Sequence, residues 1–203
     1  MKSIKILSGL GLLFITFFFL WTYFVNPDLD IRIKYESEVE MINEELKGSD
    51  YNKDYFVLVD FALHSGKKRM FLYDLKTGTV ESSFMVAHGE GCGEENGSPT
   101  TFSNIPNSLC SSEGLAVIGK RDYSNWGINI KYWLEGLDDT NNNMRKRVVV
   151  IHSWSGIPDF SIYPFQIVQS QGCFTMSNNA LTYLDKFISK QENKRILFYT
   201  FKS

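Results

Sequence analysis

The stretch SQGCFTMSNNALTYLDKFISKQ, residues 170–191, reads in two halves. The first is a turn punctuated by Gly172 around a cysteine. In the second, Ser177 stands in an N-cap position, and Leu181, Leu184, Phe187 and Ile188 recur at helical spacing on one face. Cys173 therefore lies just ahead of a helix start. Upstream, RKRVVVIH (145–152) carries the continuous apolar run of a buried, central strand, with His152 at its end. Downstream, RILFYTF (195–201) reads as a strand that closes the sheet.

Further out, YFVLVDFAL from Tyr55, RMFLYDL and VESSFMVA are β-rich runs, the last two joined by Lys76, Thr77 and Gly78 as a hairpin turn. GLAVIG and WGINIKYWLEGL add further strands. Between these groups, residues 88–114 are dense in Gly, Ser, Asn and Pro punctuation. They read as a long ordered loop of the kind that serves a site. The pattern predicts a mainly β fold with a few helices, of the α+β class, over residues 51–203. Residues 28–50 read as a linker in which IRIKYESEVEMINEELK (31–47) forms a stalk helix.

Residues 1–27 predict an N-terminal transmembrane signal anchor. Ile6 to Val25 contain no charge and are long enough for a bilayer core, and Lys2 and Lys5 precede them. No small-residue cleavage pattern follows the apolar run. The expectation is a single-pass protein of the bacterial cytoplasmic membrane, with the membrane as a partner of the N-terminal helix and the domain on the periplasmic or cell-wall side. Net charge is −2, which leaves no basic field for nucleic acid. Of the three cysteines at least one stays unpaired; Cys92 and Cys110 share the long loop and could staple it, whereas Cys173 sits elsewhere.

A thiol attacks as its thiolate and needs a proton acceptor, commonly a histidine brought near by the fold. His152 at a strand end and Cys173 in a Ser-x-Gly-Cys turn satisfy that need, with Gly172 letting the backbone approach a substrate carbonyl and nearby N–H groups forming an oxyanion hole. A lone cysteine is also among the most buried residue types, and a strand-end histidine is often a satisfied core group. Spacing alone leaves both readings open. The cysteines and histidines show no zinc-ligand spacing.

IHS at 151–153 followed by SQGCFTMSNNAL at 170–181 resembles the active-site signature of the L,D-transpeptidase catalytic domain. HG at 88–89, FSNIPNS at 102–108, SSEGL at 111–115, LEGLDDTNNNMRKR at 134–147 and the VVVIH that follows are similar to the murein L,D-transpeptidase subgroup. The resemblance implies an enzyme, an acyltransferase with Cys173 as nucleophile, His152 as base and the Ser153 carbonyl orienting the imidazole. Gly172 completes the catalytic set, and Ser170, Gln171 and His88 form the substrate-binding one. It implies peptidoglycan stem peptides as partners: the thiolate attacks the carbonyl of the third stem residue, expels D-alanine, and passes the acyl group from a thioester to a neighbouring amine as a 3-3 cross-link. No metal or organic cofactor is implied.

Two residues depart from the pattern. Gln171 replaces a second His, and Thr175 replaces an Arg, which removes a cation that could meet a substrate carboxylate. An L,D-carboxypeptidase using water as acceptor at the same site is one alternative, and a catalytically inactive wall-binding module is another. The aromatic residues Trp154, Phe160, Tyr163 and Phe165 in the loop before Cys173 read as a substrate wall or, in preference, as a mini-core. His64 reads as a solvated turn residue.

Overall fold

A computed structural model describes residues 34–202 of the chain. It divides into a unit ending at Met41 and a larger one from Ile42 to Ser203. Helix α1 (Glu36–Leu46) buries Ile42 and Leu46. The larger unit is built on an eight-stranded sheet in the order β3-β2-β1-β10-β6-β7-β8-β9. Its strands are β1 (Tyr55–Asp60), β2 (Met70–Asp74), β3 (Thr79–Phe84), β6 (Gly114–Tyr123), β7 (Ile130–Gly136), β8 (Val150–Ser153), β9 (Phe174–Met176) and β10 (Ile196–Phe201). A two-stranded ribbon, β4 (Glu94–Glu95) with β5 (Ser98–Pro99), stands apart within the long loop.

Most neighbours pair antiparallel, as hairpin-linked strands do. The exceptions are β1 with β10 and β8 with β9, which run parallel. The second of these pairs sets the site, because a parallel crossover connection delivers Phe174 beside Ile151 and Thr175 beside His152. Helix α2 (Asn178–Lys190) follows directly. Ser177 caps it by accepting the Ala180 N–H at 3.1 Å, and Leu181, Leu184 and Ile188 enter the main core, with Phe187 packed against it.

Several expectations are corrected. The anchor predicted over residues 1–27 lies outside the described residues, and no helix among those described is long and apolar enough to cross a membrane. The fold class that the described residues support is a mainly β α+β domain, and no transmembrane helix is among them. The membrane partner and the single-pass location are corrected likewise, since the described residues hold no spanning helix.

The final strand does not close the sheet. Its burial on both faces places β10 between β1 and β6, where each of its edges is paired. The RKRVVVIH run is not a long central strand either. Residues 145–148 form a turn, β8 begins at Val150, and it is penultimate in the sheet. Nor do the aromatics of the 154–165 loop make a mini-core, since Phe160, Tyr163 and Phe165 are 57% to 73% exposed. Ile157 and Ile167 are buried instead, against Met85 and Ala87. His64 is not solvated: its Nδ1 accepts the Gly66 N–H at 2.9 Å, and its ring meets Tyr163 edge-on.

Candidate active site

Cys173 is the free cysteine, and its half-buried thiol lies at the entry to β9. Cys92 and Cys110 are joined as a disulfide across the long loop, with Cα atoms 4.6 Å apart. The turn before Cys173 is shaped by two devices. The Ser170 hydroxyl donates to the Cys173 carbonyl at 2.6 Å and accepts the Gly172 N–H at 3.2 Å, closing the turn on itself. Gly172 adopts φ 104°, and a Cβ there would come within 3.0 Å of the Cys110 carbonyl oxygen. Both the dihedral and the close approach call for glycine. Gly172 thus makes room for the disulfide loop, and its N–H donates to the Ser170 hydroxyl.

His152 presents its ring from β8. A histidine Nδ1 facing a backbone carbonyl must carry the proton, so Nδ1–H donates to Ser153 O at 3.2 Å and leaves Nε2 as acceptor. The Thr175 hydroxyl fills that acceptor at 3.0 Å. Burial is the main cause that holds the imidazole below the usual histidine range. Ser153 is fully buried, and its hydroxyl accepts the Ile128 N–H at 3.1 Å, which fixes the carbonyl that orients the ring.

The thiol itself donates to the Val148 carbonyl at 3.5 Å, and no hydrogen bond joins it to His152. Val148 is a β-branched residue at φ 59°, a conformation that costs on the order of 1–3 kcal/mol. That turn aims its carbonyl at the sulfur. Burial pushes the thiol above its ordinary value; the Val150 N–H and the charges of Arg147 and Lys131 oppose the shift without cancelling it. The acidic thiol that a cysteine–histidine pair would give is absent from this resting arrangement.

Cys173, His152, Thr175, Ser170 and Gln171 share one open cleft of about 630 Å³ with Lys131 and a rim that includes Trp126 and Trp154. His88 does not reach it. That ring is 1% exposed and takes the Arg69 Nη2 donor on Nδ1 at 2.9 Å. The proton must then sit on Nε2, which faces Glu94 Oε2 at 3.3 Å. Burial first and the Arg69 charge second hold His88 down at about 3, so the contact with Glu94 is made by a neutral ring. Gln169 Nε2 donates to the same carboxylate at 3.1 Å, and the His88 carbonyl accepts the Ser170 N–H at 2.8 Å. His88 thus supports the turn that leads to Cys173.

Arg147, Val148, Lys131 and the Arg69 group escaped the reading of the sequence. Arg147 Nη1 donates to Ser103 O and Ser112 Oγ, both at 2.5 Å, and its Nη2 donates to Ser108 Oγ at 3.0 Å and to the Cys110 carbonyl. It clamps the loop that packs on Gly172. Only the basic cluster RKR ahead of VVV hinted at it, and nothing local marks Arg69, which is fully buried. Among the described residues no group of three or more His, Cys, Asp or Glu side chains is placed to hold a metal ion.

The family model of the L,D-transpeptidase catalytic domain matches residues 28–199. No curated protein matches the chain. Similar solved structures include the helical cell shape determining protein Pgp2 from Campylobacter jejuni, 13% identical over 85% of this chain and 55% of that one, with a TM-score of 0.44. An L,D-transpeptidase from Xylanimonas cellulosilytica is 16% identical over 75% of this chain and 63% of that one, TM-score 0.39. The Ldtfm–avibactam carbamoyl enzyme is 14% identical over 75% of this chain and 50% of that one, TM-score 0.44. The chain spans about half of the first of these solved chains to be matched.

Proposed function

The chain belongs to the L,D-transpeptidase catalytic domain family, and from that premise we propose that it is a cysteine acyltransferase acting on peptidoglycan stem peptides. One observation carries the reading: the chain's free thiol, Cys173, opens into the same cleft as His152, whose Nδ1 proton is fixed by the Ser153 carbonyl so that Nε2 is the basic atom.

In the first half-reaction the sulfur of Cys173 bonds to the carbonyl carbon of the third stem residue, and its proton passes to Nε2. The tetrahedral intermediate collapses as the peptide C–N bond breaks. The departing D-alanine amine takes the proton from the imidazolium, leaving a thioester. In the second half an acceptor amine attacks the thioester, gives a proton to Nε2, and the released thiolate recovers it. Ser153 serves both halves, because its carbonyl accepts from Nδ1–H in the neutral and the charged ring alike. For the chemistry to start, the thiol must leave the Val148 carbonyl and the Thr175 hydroxyl must yield Nε2. Contacts that tighten only with substrate bound are usual for catalytic pairs.

The same resting bonds favour a second reading, an inactive module that binds the wall. The experiment that separates the two is intact-mass analysis of the protein with a stem tetrapeptide, and with a carbapenem as acylating probe. Acyl transfer gives an adduct on the wild type that is absent in Cys173→Ala and forms at least tenfold more slowly in His152→Ala. A folded wild type that gains no mass from either reagent would overturn the enzymatic reading in favour of the binding module.

A further inference from the structure

The sheet orders the wall of the cleft. Lys131 on β7 stands opposite His152 on β8, His152 stands opposite Thr175 on β9, and Ala87 bridges Thr175 on the far side. Residues directly opposite one another project to the same face of a sheet, and all four line the one cleft. The chain continues from Ala87 to Glu90, which is exposed, lines the cleft too, and is tied by its N–H to the Ser170 carbonyl at 2.8 Å. Across the site the order is therefore Lys131, His152, the Cys173 and Thr175 strand, then Glu90. A cation and a carboxylate flank the thiol on opposite sides.

Among the described residues no ion pair engages Lys131 or Glu90. The Lys131 ammonium rests 4.5 Å from the centroid of the Trp133 ring, a contact that holds the cation while leaving its N–H donors for another partner. Its acidic neighbour on β6, Asp122, is otherwise engaged: one oxygen accepts from Trp133 Nε1 at 3.0 Å and the other from the Tyr123 N–H at 2.8 Å. An unpaired cation and an unpaired carboxylate, separated by the reacting groups, complement a ligand carrying one charge of each sign on either side of the bond to be cut.

Building on the acyl-transfer reading, we infer that Lys131 and Glu90 are the specificity poles of the cleft and orient a zwitterionic donor peptide. Lys131 holds the free carboxylate of the departing C-terminal residue, and Glu90 holds a protonated side-chain amine on the acyl portion. The scissile carbonyl then lies over Cys173, with the leaving nitrogen on the His152 side, where the proton must go. A peptide lacking either charge would lose its register as well as affinity.

The test uses four synthetic tetrapeptides: C-terminal acid or carboxamide, each with the side-chain amine free or acetylated. Binding is titrated calorimetrically on Cys173→Ala, which holds the ligand without cutting it, and release of the C-terminal residue is followed on the unaltered protein. Removing either ligand charge weakens Kd roughly fivefold, the scale of a partly exposed ion pair, and the loss shrinks as salt is raised. Adding Lys131→Met abolishes the distinction between acid and carboxamide while leaving the amine preference. Adding Glu90→Gln does the converse. If the charge preferences are missing, or survive both substitutions, the poles are wrong even where the unaltered protein cuts the peptide. If the preferences appear as described and nothing is cut, the poles stand and the acyl-transfer reading falls. Neither binding nor cutting would overturn both.

Discussion

At the scale of single residues the most informative is Thr175. The sequence marked it as a departure that removes a cation, but its hydroxyl proves to be the partner of His152 Nε2 at 3.0 Å. A net hydrogen bond is worth about 1 kcal/mol, and this one fixes the ring by its second nitrogen. Because that bond must yield before Nε2 can take the thiol's proton, Thr175→Val, equal in shape and lacking the hydroxyl, is expected to speed acylation on the order of fivefold, with the melting temperature little changed. Thr175→Ser should restore the rate. A valine variant that acylates no faster than the parent would show that the Thr175 hydroxyl does not hold the base back. The candidate residues were legible because IHS at 151–153 and SQGCF at 170–174 resemble a family signature that joins an imidazole to a thiol further along the chain. Which atom bonds to which was not, since Val148 at φ 59° and the thiol it holds depend on a turn that no local signal announces.

Among the elements, the long loop matters most. Its Gly, Ser and Asn content suggested an ordered loop of the kind that serves a site, and its two cysteines suggested a staple. The staple is present, with the Ser111 N–H directed at Cys92 Sγ at 3.1 Å and the Cys110 carbonyl packed on Gly172. Closing a loop of 18 residues of separation is worth about 3 kcal/mol. The double replacement of Cys92 and Cys110 by serine should lower unfolding free energy by about that amount in urea titrations. It should also slow acylation at Cys173, because the wall behind Gly172 loosens. Equal acylation rates in the two proteins would mean that the Arg147 clamp, with its donors to Ser103, Ser108, Ser112 and Cys110, holds the loop without the bridge.

For the whole molecule, the buried Arg69, His88 and Glu94 chain links acid sensitivity to the support of the site. An unfolded histidine takes up a proton below about 6.5, whereas folded His88 resists protonation down to about 3. The unfolded state therefore binds more protons in that window, and stability falls as pH drops through it, by at most about 1.4 kcal/mol per pH unit from this group. His152 is shifted in the same direction. His88→Gln, whose amide oxygen can still accept from Arg69, should flatten the stability–pH slope by up to one proton between pH 6.5 and 4 in denaturant titrations. Parallel slopes would place the acid sensitivity elsewhere. The sequence by itself determined what short-range patterns encode: alternation and apolar runs for the strands, the Ser177 cap and its apolar face for α2, and the turn chemistry around Cys173. Tertiary structure alone decided the strand order that puts the last strand in the middle, the parallel pairing that sets Thr175 against His152, and the opposed charges of Lys131 and Glu90. Those relations join residues far apart in the chain, and their energies arise only once burial removes water from between them.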